Sequence, residues 1–311
     1  MRWRKAIQHT VDRWRLLAGK AAPVALYHAT FSNPPREIAD GLHNVAPDIL
    51  GEQMALLKRH FRFVSVDELA ASRRGRGLAA VTFDDAYRCV LDEAFPVLES
   101  LDIPFTIYVN GCTLEGKALW RDKVRYLINH GLTADFQAQA SHTQAMPDER
   151  FYRDTKEAPN NSRLVEAELD AFFDQHAIRL KSDTYYLQSA DDFLRHPLVS
   201  YGNHTHDHYA LTTLSPDEQR QQIERTHAAL AAIPDINHSH LLSIPFGKRQ
   251  HFDHVTERIA CELGYCGLLL SRHLIPTRIE RNTALLWVDR FMPDQRNMTQ
   301  IFHETRLRKA A

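Results

Sequence analysis

Cysteine is scarce. There are four in 311 residues, Cys89, Cys112, Cys261 and Cys266, and none of them forms a CxxC pair. That excludes a zinc knuckle and argues against a disulfide framework; thiols in a reducing compartment are expected. Glycine and proline are also few, at 12 and 14, which excludes collagen-like and mucin-like chains. No run of about 18 apolar residues occurs, so the sequence offers no transmembrane helix. Neither charge sign dominates: 38 Lys+Arg stand against 39 Asp+Glu, a net charge of −1. A strongly basic nucleic-acid-binding surface is therefore not expected, and nucleic acid is excluded as a partner. What remains is a globular composition, 44% hydrophobic and 25% charged, long enough to bury a full core. Histidine is the residue in excess, at 18.

The first twenty residues lack the uninterrupted apolar stretch and cleavage site of a secretory signal. Trp3, Ile7, Val11, Trp14 and Leu17 fall on one helical face, opposite a face carrying Arg2, Arg4, Lys5, Arg13 and Arg15. Such a helix packs on its own domain, on a second subunit, or at a membrane surface, where Trp and Arg suit the headgroup layer. We expect a cytoplasmic protein, with peripheral membrane contact through residues 1–20 as one reading; oligomeric state is left open.

Beyond this segment, residues 21–311 read as one α/β domain. Short apolar runs at 24–28, 61–66, 78–83, 104–109, 199–201, 241–244, 265–270 and 285–288 alternate with helical patterns near 49–59, 87–101, 215–232 and 252–263. About eight strands with interleaved helices are compatible with an irregular (β/α) barrel. The stretch from about 113 to 197 is polar and mostly helical, broken at Pro147, Pro159 and Pro197, and reads as a helical insertion over the barrel rather than a second domain.

Two clusters carry chemistry. Val81-Thr82-Phe83-Asp84-Asp85-Ala86-Tyr87 ends an apolar strand in two adjacent carboxylates. Paired carboxylates in different surroundings divide labour, one binding a cation and the other acting as a base, although Asp-Asp at a strand end is also a common helix cap. Tyr201-Gly202-Asn203-His204-Thr205-His206-Asp207-His208 places histidines at i, i+2 and i+4. On a helical turn His204 and His208 share a face and chelate a divalent metal, with Asp85 as third ligand; three ligands leave a position for water.

Thr82-Phe83-Asp84-Asp85, then His204-Thr205-x-x-His208, then Pro245-Phe246-Gly247 resemble, in order over about residues 22–294, the polysaccharide deacetylases of the NodB-homology group, carbohydrate esterase family 4. The resemblance implies a distorted (β/α) barrel that removes N- or O-acetyl groups from sugars with a divalent metal. It implies Asp84 as catalytic base, Asp85, His204 and His208 as metal ligands, and Thr205 as the hydroxyl residue that braces the histidine motif. Zinc suits one carboxylate and two imidazoles, and Co2+, Ni2+ or Fe2+ can occupy the same ligands.

The sequence departs from that pattern twice. The third motif has Ser243-Ile244-Pro245-Phe246 where the family carries an arginine that orients the base; Arg290, beside Asp289 after the last strand, is the candidate substitute, and a surface pair with Asp289 is the plainer alternative. The C-terminal Leu-x-His motif is missing, but Ala25-Leu26-Tyr27-His28 looks like the corresponding element in the circularly permuted branch that de-N-acetylates biofilm poly-N-acetylglucosamine. His28 is therefore assigned as general acid, acting as an imidazolium, and a backbone N–H near Tyr87 as a partner for the oxyanion. Trp120, with Arg121, Asp122 and Lys123, is expected to line a sugar site. The expected activity is metal-dependent deacetylation of an N-acetylated amino sugar in a polysaccharide or lipid-linked glycan precursor. The alternatives are a catalytically silent carbohydrate- or partner-binding module and a metallo-hydrolase of non-sugar amides.

Overall fold

A computed structural model describes residues 19, 21–72, 75–143, 146–276, 279–282 and 284–308. Apart from Gly19, the amphipathic segment 1–20 lies outside the described residues.

The strands are β1 (Val24–Tyr27), β2 (Arg62–Phe63), β3 (Leu78–Phe83), β4 (Phe105–Val109), β5 (Val199–Asn203), β6 (Asn237–Ser243), β7 (Gly267–Leu270), β8 (Leu274–Pro276), β9 (Glu280–Asn282), β10 (Leu285–Asp289) and β11 (Arg306–Arg308). The helices are α1 (Pro47–Lys58), α2 (Val66–Ala71), α3 (Phe95–Ser100), α4 (Trp120–Asn129), α5 (Thr133–Gln139), α6 (Asp148–Asp154), α7 (Ser162–Gln175), α8 (Ser182–Tyr185), α9 (Pro216–Ala231), α10 (His254–Glu262) and α11 (Met298–Glu304). The main sheet runs β1-β3-β4-β5-β6-β7-β10-β9, parallel throughout except at the β9 edge. Just past β10, Phe291 bridges back to Ala25 of β1: the Phe291 N–H donates to the Val24 carbonyl at 3.1 Å, and the Leu26 N–H donates to the Phe291 carbonyl at 2.9 Å. The sheet is thus nearly closed, and the molecule is a distorted (β/α) barrel.

The unbroken apolar runs of the sequence become these strands because a parallel sheet covered by helices is buried on both faces. In β3, five of the six side chains are buried, and in β4 all five. Helix starts are marked where the sequence supplies caps: Ser215 and Glu218 form a reciprocal capping box on α9, and Asp253 accepts from the N–H groups of Val255 and Thr256 on α10. The single helix expected over 87–101 is instead a π-helical turn, Val90–Ala94, followed by α3. Pro96 explains the change, since it has no N–H to continue the α-helical ladder.

Between β4 and β5 the regular elements are α4 to α8 and 3-10 turns. Their apolar faces, among them Trp120, Val124, Leu127, Phe136, Phe151 and Phe172, join Leu242, Ile244, Leu268 and Leu270 of the barrel in one buried cluster. Each large side chain so buried contributes roughly 1.5–3 kcal/mol, which holds the helical segment firmly on the barrel rim. Among the described residues no helix is long and apolar enough to cross a membrane.

Candidate active site

His28 follows β1, Asp84 and Asp85 follow β3, His204 to His208 follow β5, Ser243 to Phe246 leave β6, and Asp289 and Arg290 leave β10. All stand at the C-terminal ends of parallel strands, where loops from neighbouring strands converge on a barrel of this kind. His28, Asp84, Asp85, His204, His208 and Phe246 share the lining of one pocket of about 300 Å3. A larger hollow of about 760 Å3 beside α4 and α7 contains none of the proposed metal ligands.

The backbone is bent sharply here. Asp85, Ala86, Thr205, His208 and Phe246 have φ of 73°, 51°, 64°, 59° and 60°, a left-handed conformation that disfavours side chains. Gly247, at φ 63°, sits so close to Ser271 that a Cβ would come within 2.1 Å of its backbone nitrogen. The left-handed residues also correct one expectation: 204–208 is not a helical turn. The loop is held by Asn110, whose amide donates to the His204 carbonyl at 2.7 Å, and by the Asn203 side chain, which accepts from the Thr205 N–H at 2.7 Å. His204 and His208 still meet, with ring centroids 4.8 Å apart. His206, between them, turns away to Asp207 and Glu115 at 2.7 and 3.1 Å.

Asp85, His204 and His208 are buried, and one potential ligand atom from each lies within 4.8 Å of the others. The donor chemistry fits a divalent cation. Nδ1 of His204 donates to the Ser243 carbonyl at 2.9 Å, which leaves the lone pair on Nε2, facing Asp85 Oδ1 at 3.7 Å. Oδ1 of Asp85 and Nδ1 of His208 are buried with no hydrogen-bond partner, and the His208 Nε2 is 3.6 Å from that same Oδ1. Burial, aided for His208 by the His204 ring, keeps both imidazoles neutral by lowering their pKa. Burial, opposed by Arg125 and assisted by Asp84 and Asp122, pushes the Asp85 carboxyl up to about 7. An orphaned carboxylate oxygen beside two neutral imidazoles is a ligand set that can hold a metal.

Asp84 is held differently. Arg290, fully buried, donates to both its oxygens at 2.8 Å, and the Ser243 hydroxyl bridges the two side chains. Burial would raise the Asp84 pKa, but the Arg290 guanidinium, with help from His204 and Ser243, outweighs it and keeps the carboxyl below its ordinary value. Arg290 is thus not a surface partner of Asp289, which is itself buried and pairs with Arg272 at 2.5 Å.

His28 is part-buried, with Nδ1 3.0 Å from Nδ1 of His43. Nε2 of His43 donates to the Pro293 carbonyl at 2.5 Å, so its Nδ1 carries the lone pair and accepts from His28. Nε2 of His28 is then the ring atom left for the pocket. Burial, His43, Arg125 and other cations lower the His28 pKa well below its ordinary value, so the resting ring is neutral and becomes the imidazolium of the expected acid role only on gaining a proton. His43 was not foreseen: it lies in a loop without periodicity, and the excess of histidine was its one signal.

One further expectation needs correcting. Trp120 does not line the pocket: it is fully buried, its indole N–H donates to the His208 carbonyl at 3.2 Å, and its ring meets Phe246 edge-on at 6.2 Å. It positions the histidine loop. The Tyr87 side chain is also buried away from the pocket, its hydroxyl donating to Asp122 at 2.8 Å and accepting from Arg125 at 3.0 Å. Pro245 is buried, and the Thr205 hydroxyl is buried with no hydrogen-bond partner. The pocket wall contributed by the helical segment is instead made by Arg121, Arg125, Tyr152 and Lys156. Arg121 was expected at a sugar site and lines the pocket; Arg125, Tyr152 and Lys156 were not foreseen, and only Arg125, four residues after Arg121, had a signal in its spacing.

A family model described as polysaccharide deacetylase matches residues 71–168 and 172–267. A search of curated proteins finds no match. Among solved structures, the chain is similar to the Streptococcus pyogenes deacetylase PplD, in complex with acetate, at 17% identity and a TM-score of 0.56, covering 92% of this chain and 97% of that one. It is similar to IcaB from Ammonifex degensii at 17% identity and a TM-score of 0.53, over 88% and 91% of the two chains. It is also similar to a de-N-acetylase from Aggregatibacter actinomycetemcomitans at 13% identity and a TM-score of 0.56, over 90% and 98%. These likenesses show a shared fold, and the family match, which spans more than half of the chain and both aspartate and histidine motifs, shows that the protein belongs to the polysaccharide deacetylase family.

Proposed function

We propose that this protein is a metal-dependent carbohydrate de-N-acetylase, hydrolysing the acetamido group of an amino sugar in a polysaccharide or glycan precursor. The observation that carries the reading is the buried trio of Asp85, His204 and His208, in which Asp85 Oδ1 has no hydrogen-bond partner, directly beside an Asp84 kept ionised by Arg290. A divalent cation held by the trio, zinc by its liking for this donor set, would supply an activated water and polarise the acetyl carbonyl.

The rest falls to the chain. Asp84 accepts the proton of the attacking water, and Arg290 and Ser243 fix the direction in which its oxygens point. A backbone N–H near Tyr87 shares the charge that develops on the carbonyl oxygen. The departing sugar amine needs a proton, and His28 Nε2 delivers it, while His43 accepts at Nδ1 and fixes the ring. Because the resting ring is neutral, His28 must gain that proton within the catalytic cycle, and the proton that Asp84 takes from the water and then gives up is the one that supplies it.

The rival reading as a silent module drew on the arginine missing from the third motif. Arg290 meeting Asp84 removes that support. We retain the cytoplasmic, membrane-peripheral placement as part of the proposal; its support is the basic amphipathic pattern of residues 1–20, tested by liposome binding with and without them. The activity is tested by acetate release from N-acetylglucosamine oligosaccharides, other acetylated amino sugars and non-sugar acetamides, using chelated protein and protein reloaded with zinc. Zinc-dependent release from the sugars alone supports the reading; release from the non-sugar amides alone replaces the substrate class.

A further inference from the structure

One wall of the pocket that holds the proposed metal ligands carries more positive charge than its ion pairs balance. Three cations gather around the Tyr152 ring: Cζ of Arg121 lies 4.1 Å, Cζ of Arg125 5.4 Å and Nζ of Lys156 5.9 Å from its centroid. Arg121 and Arg125 are one turn apart on α4, an arrangement of like charges that opposes helix formation. Arg125 is offset by its ion pair with the buried Asp122. Arg121 has no ion pair among the described residues, Asp122 and Asp85 acting on it only through space: it is 3% exposed, donates to the Tyr152 carbonyl at 2.7 Å and the Thr155 hydroxyl at 2.9 Å, and lies over the Trp120 ring. Lys156 has no ion pair among the described residues; its amine lies 6.0 Å from the centre of the Phe246 ring, and the adjacent Glu157 accepts from Gln250 at 2.9 Å. Lys248 adds a fourth cation at the exposed edge of the same pocket.

The acids lining this pocket are Asp84, matched by Arg290, and Asp85, assigned above as a metal ligand. Burial by itself would raise the Tyr152 phenol, yet Arg125, Arg121 and Lys156 together bring it below its ordinary value, a sign of how strongly positive the wall is. Burying a guanidinium without a direct ion pair is costly, and a neutral sugar would leave that cost in place. An anionic group would remove it and gain charge-assisted hydrogen bonds.

We propose that the pocket selects an acetamido sugar that carries, or is joined to a sugar that carries, an anionic group, a carboxylate or a phosphate, held by Arg121, Lys156 and Lys248. This rests on the deacetylase reading for the acetamido group, but the anion site is testable without turnover. The test measures binding of three probes to the full chain by calorimetry, with and without chelator: a neutral N-acetylglucosamine trisaccharide, a trisaccharide of equal length with glucuronic acid next to N-acetylglucosamine, and N-acetylglucosamine 1-phosphate. At least one anionic probe is expected to bind tenfold or more tightly than the neutral one, with an advantage that shrinks as salt is added. Which of the two binds better tells carboxylate from phosphate. Lys156→Gln and Lys248→Gln, which remove charge from side chains that are not fully buried, should each lower the anionic-to-neutral ratio. Equal binding of neutral and anionic probes, or binding of none, overturns the proposal. Anion-selective binding with no acetate released by the zinc-loaded protein leaves the anion site standing and removes the deacetylase reading instead.

Discussion

Arg290 and Asp84, 206 residues apart in sequence, meet through two parallel 2.8 Å bonds in the interior of the barrel. Near-closure of the sheet makes this contact: β10 ends beside β7, and the residues after it bridge to β1, so a side chain leaving β10 reaches the end of β3. The guanidinium holds the carboxylate ionised and aims it. On the proposed reading it takes the place of the arginine that the third motif lacks, and Ser243 of that motif bridges the pair.

Arg290→Gln should therefore act on both stability and pH dependence. It leaves the buried Asp84 without its cation, at a cost of roughly 3–5 kcal/mol by the behaviour of broken buried pairs. Because the folded pKa of Asp84 is depressed, its contribution to stability is present above the unfolded carboxylate value and is lost as pH falls through the folded one. In the variant that pKa rises, so the acid limb of the rate profile should move to higher pH. Denaturant melts and a pH–rate profile measure these effects; an unshifted acid limb counts against Asp84 as the titrating base.

Metal affinity should depend on one proton. The two histidines are already neutral, and Asp85 titrates at about 7. Below that pH, apparent affinity should fall about tenfold per pH unit. Zinc titrations at pH 5.5, 6.5 and 7.5 test this; a flat response, or a slope of two protons, contradicts the assignment of protonation states. Alanine at Asp85, His204 or His208 should abolish stoichiometric binding.

His28→Ala should lower turnover by roughly 100-fold or more while zinc binding is kept, the range expected of a lost acid-base group. His43→Ala removes the acceptor at His28 Nδ1 and should produce a smaller loss, with a shifted basic limb. Loss of zinc in either variant would mean that the pair serves the ligands rather than the leaving group.

Asp122→Asn tests the brace between helical segment and barrel. Asp122 is fully buried and accepts from Tyr87, Tyr186 and Arg125. Removing its charge leaves Arg125 buried without a counter-ion, with an expected loss of roughly 3–5 kcal/mol. A melting temperature unchanged from the parent would show that the network is not structural.

Much of the fold was legible because a parallel barrel writes its strands as uninterrupted apolar runs. β1, β3, β4, β7 and β10 all fall within a residue or two of the expected positions. The short strands β8, β9 and β11 were missed, since three residues carry no periodicity. Asp84, Asp85, His204 and His208 were readable because each pair is close in sequence. Their local conformation was not, since left-handed turns at Thr205 and His208 obey no i, i+4 rule. Arg290 was found as a candidate only because a role was vacant. His43, Tyr152 and Lys156 reach the pocket through tertiary packing, which local pattern does not encode. Trp120 was misread for the same reason: a large aromatic beside cations suits a sugar wall or a buried brace equally well, and burial decides between them.

The most direct test of the central claim pairs two readings on Asp84→Asn: zinc bound per chain, and the rate of acetate release from acetylated amino-sugar glycans that the parent protein hydrolyses. The account predicts one zinc retained, because Asp84 is not a ligand, and release lowered by roughly 100-fold or more, because the base is gone. Full activity with zinc bound would contradict it, and so would loss of zinc together with activity, which would make Asp84 a ligand rather than the base.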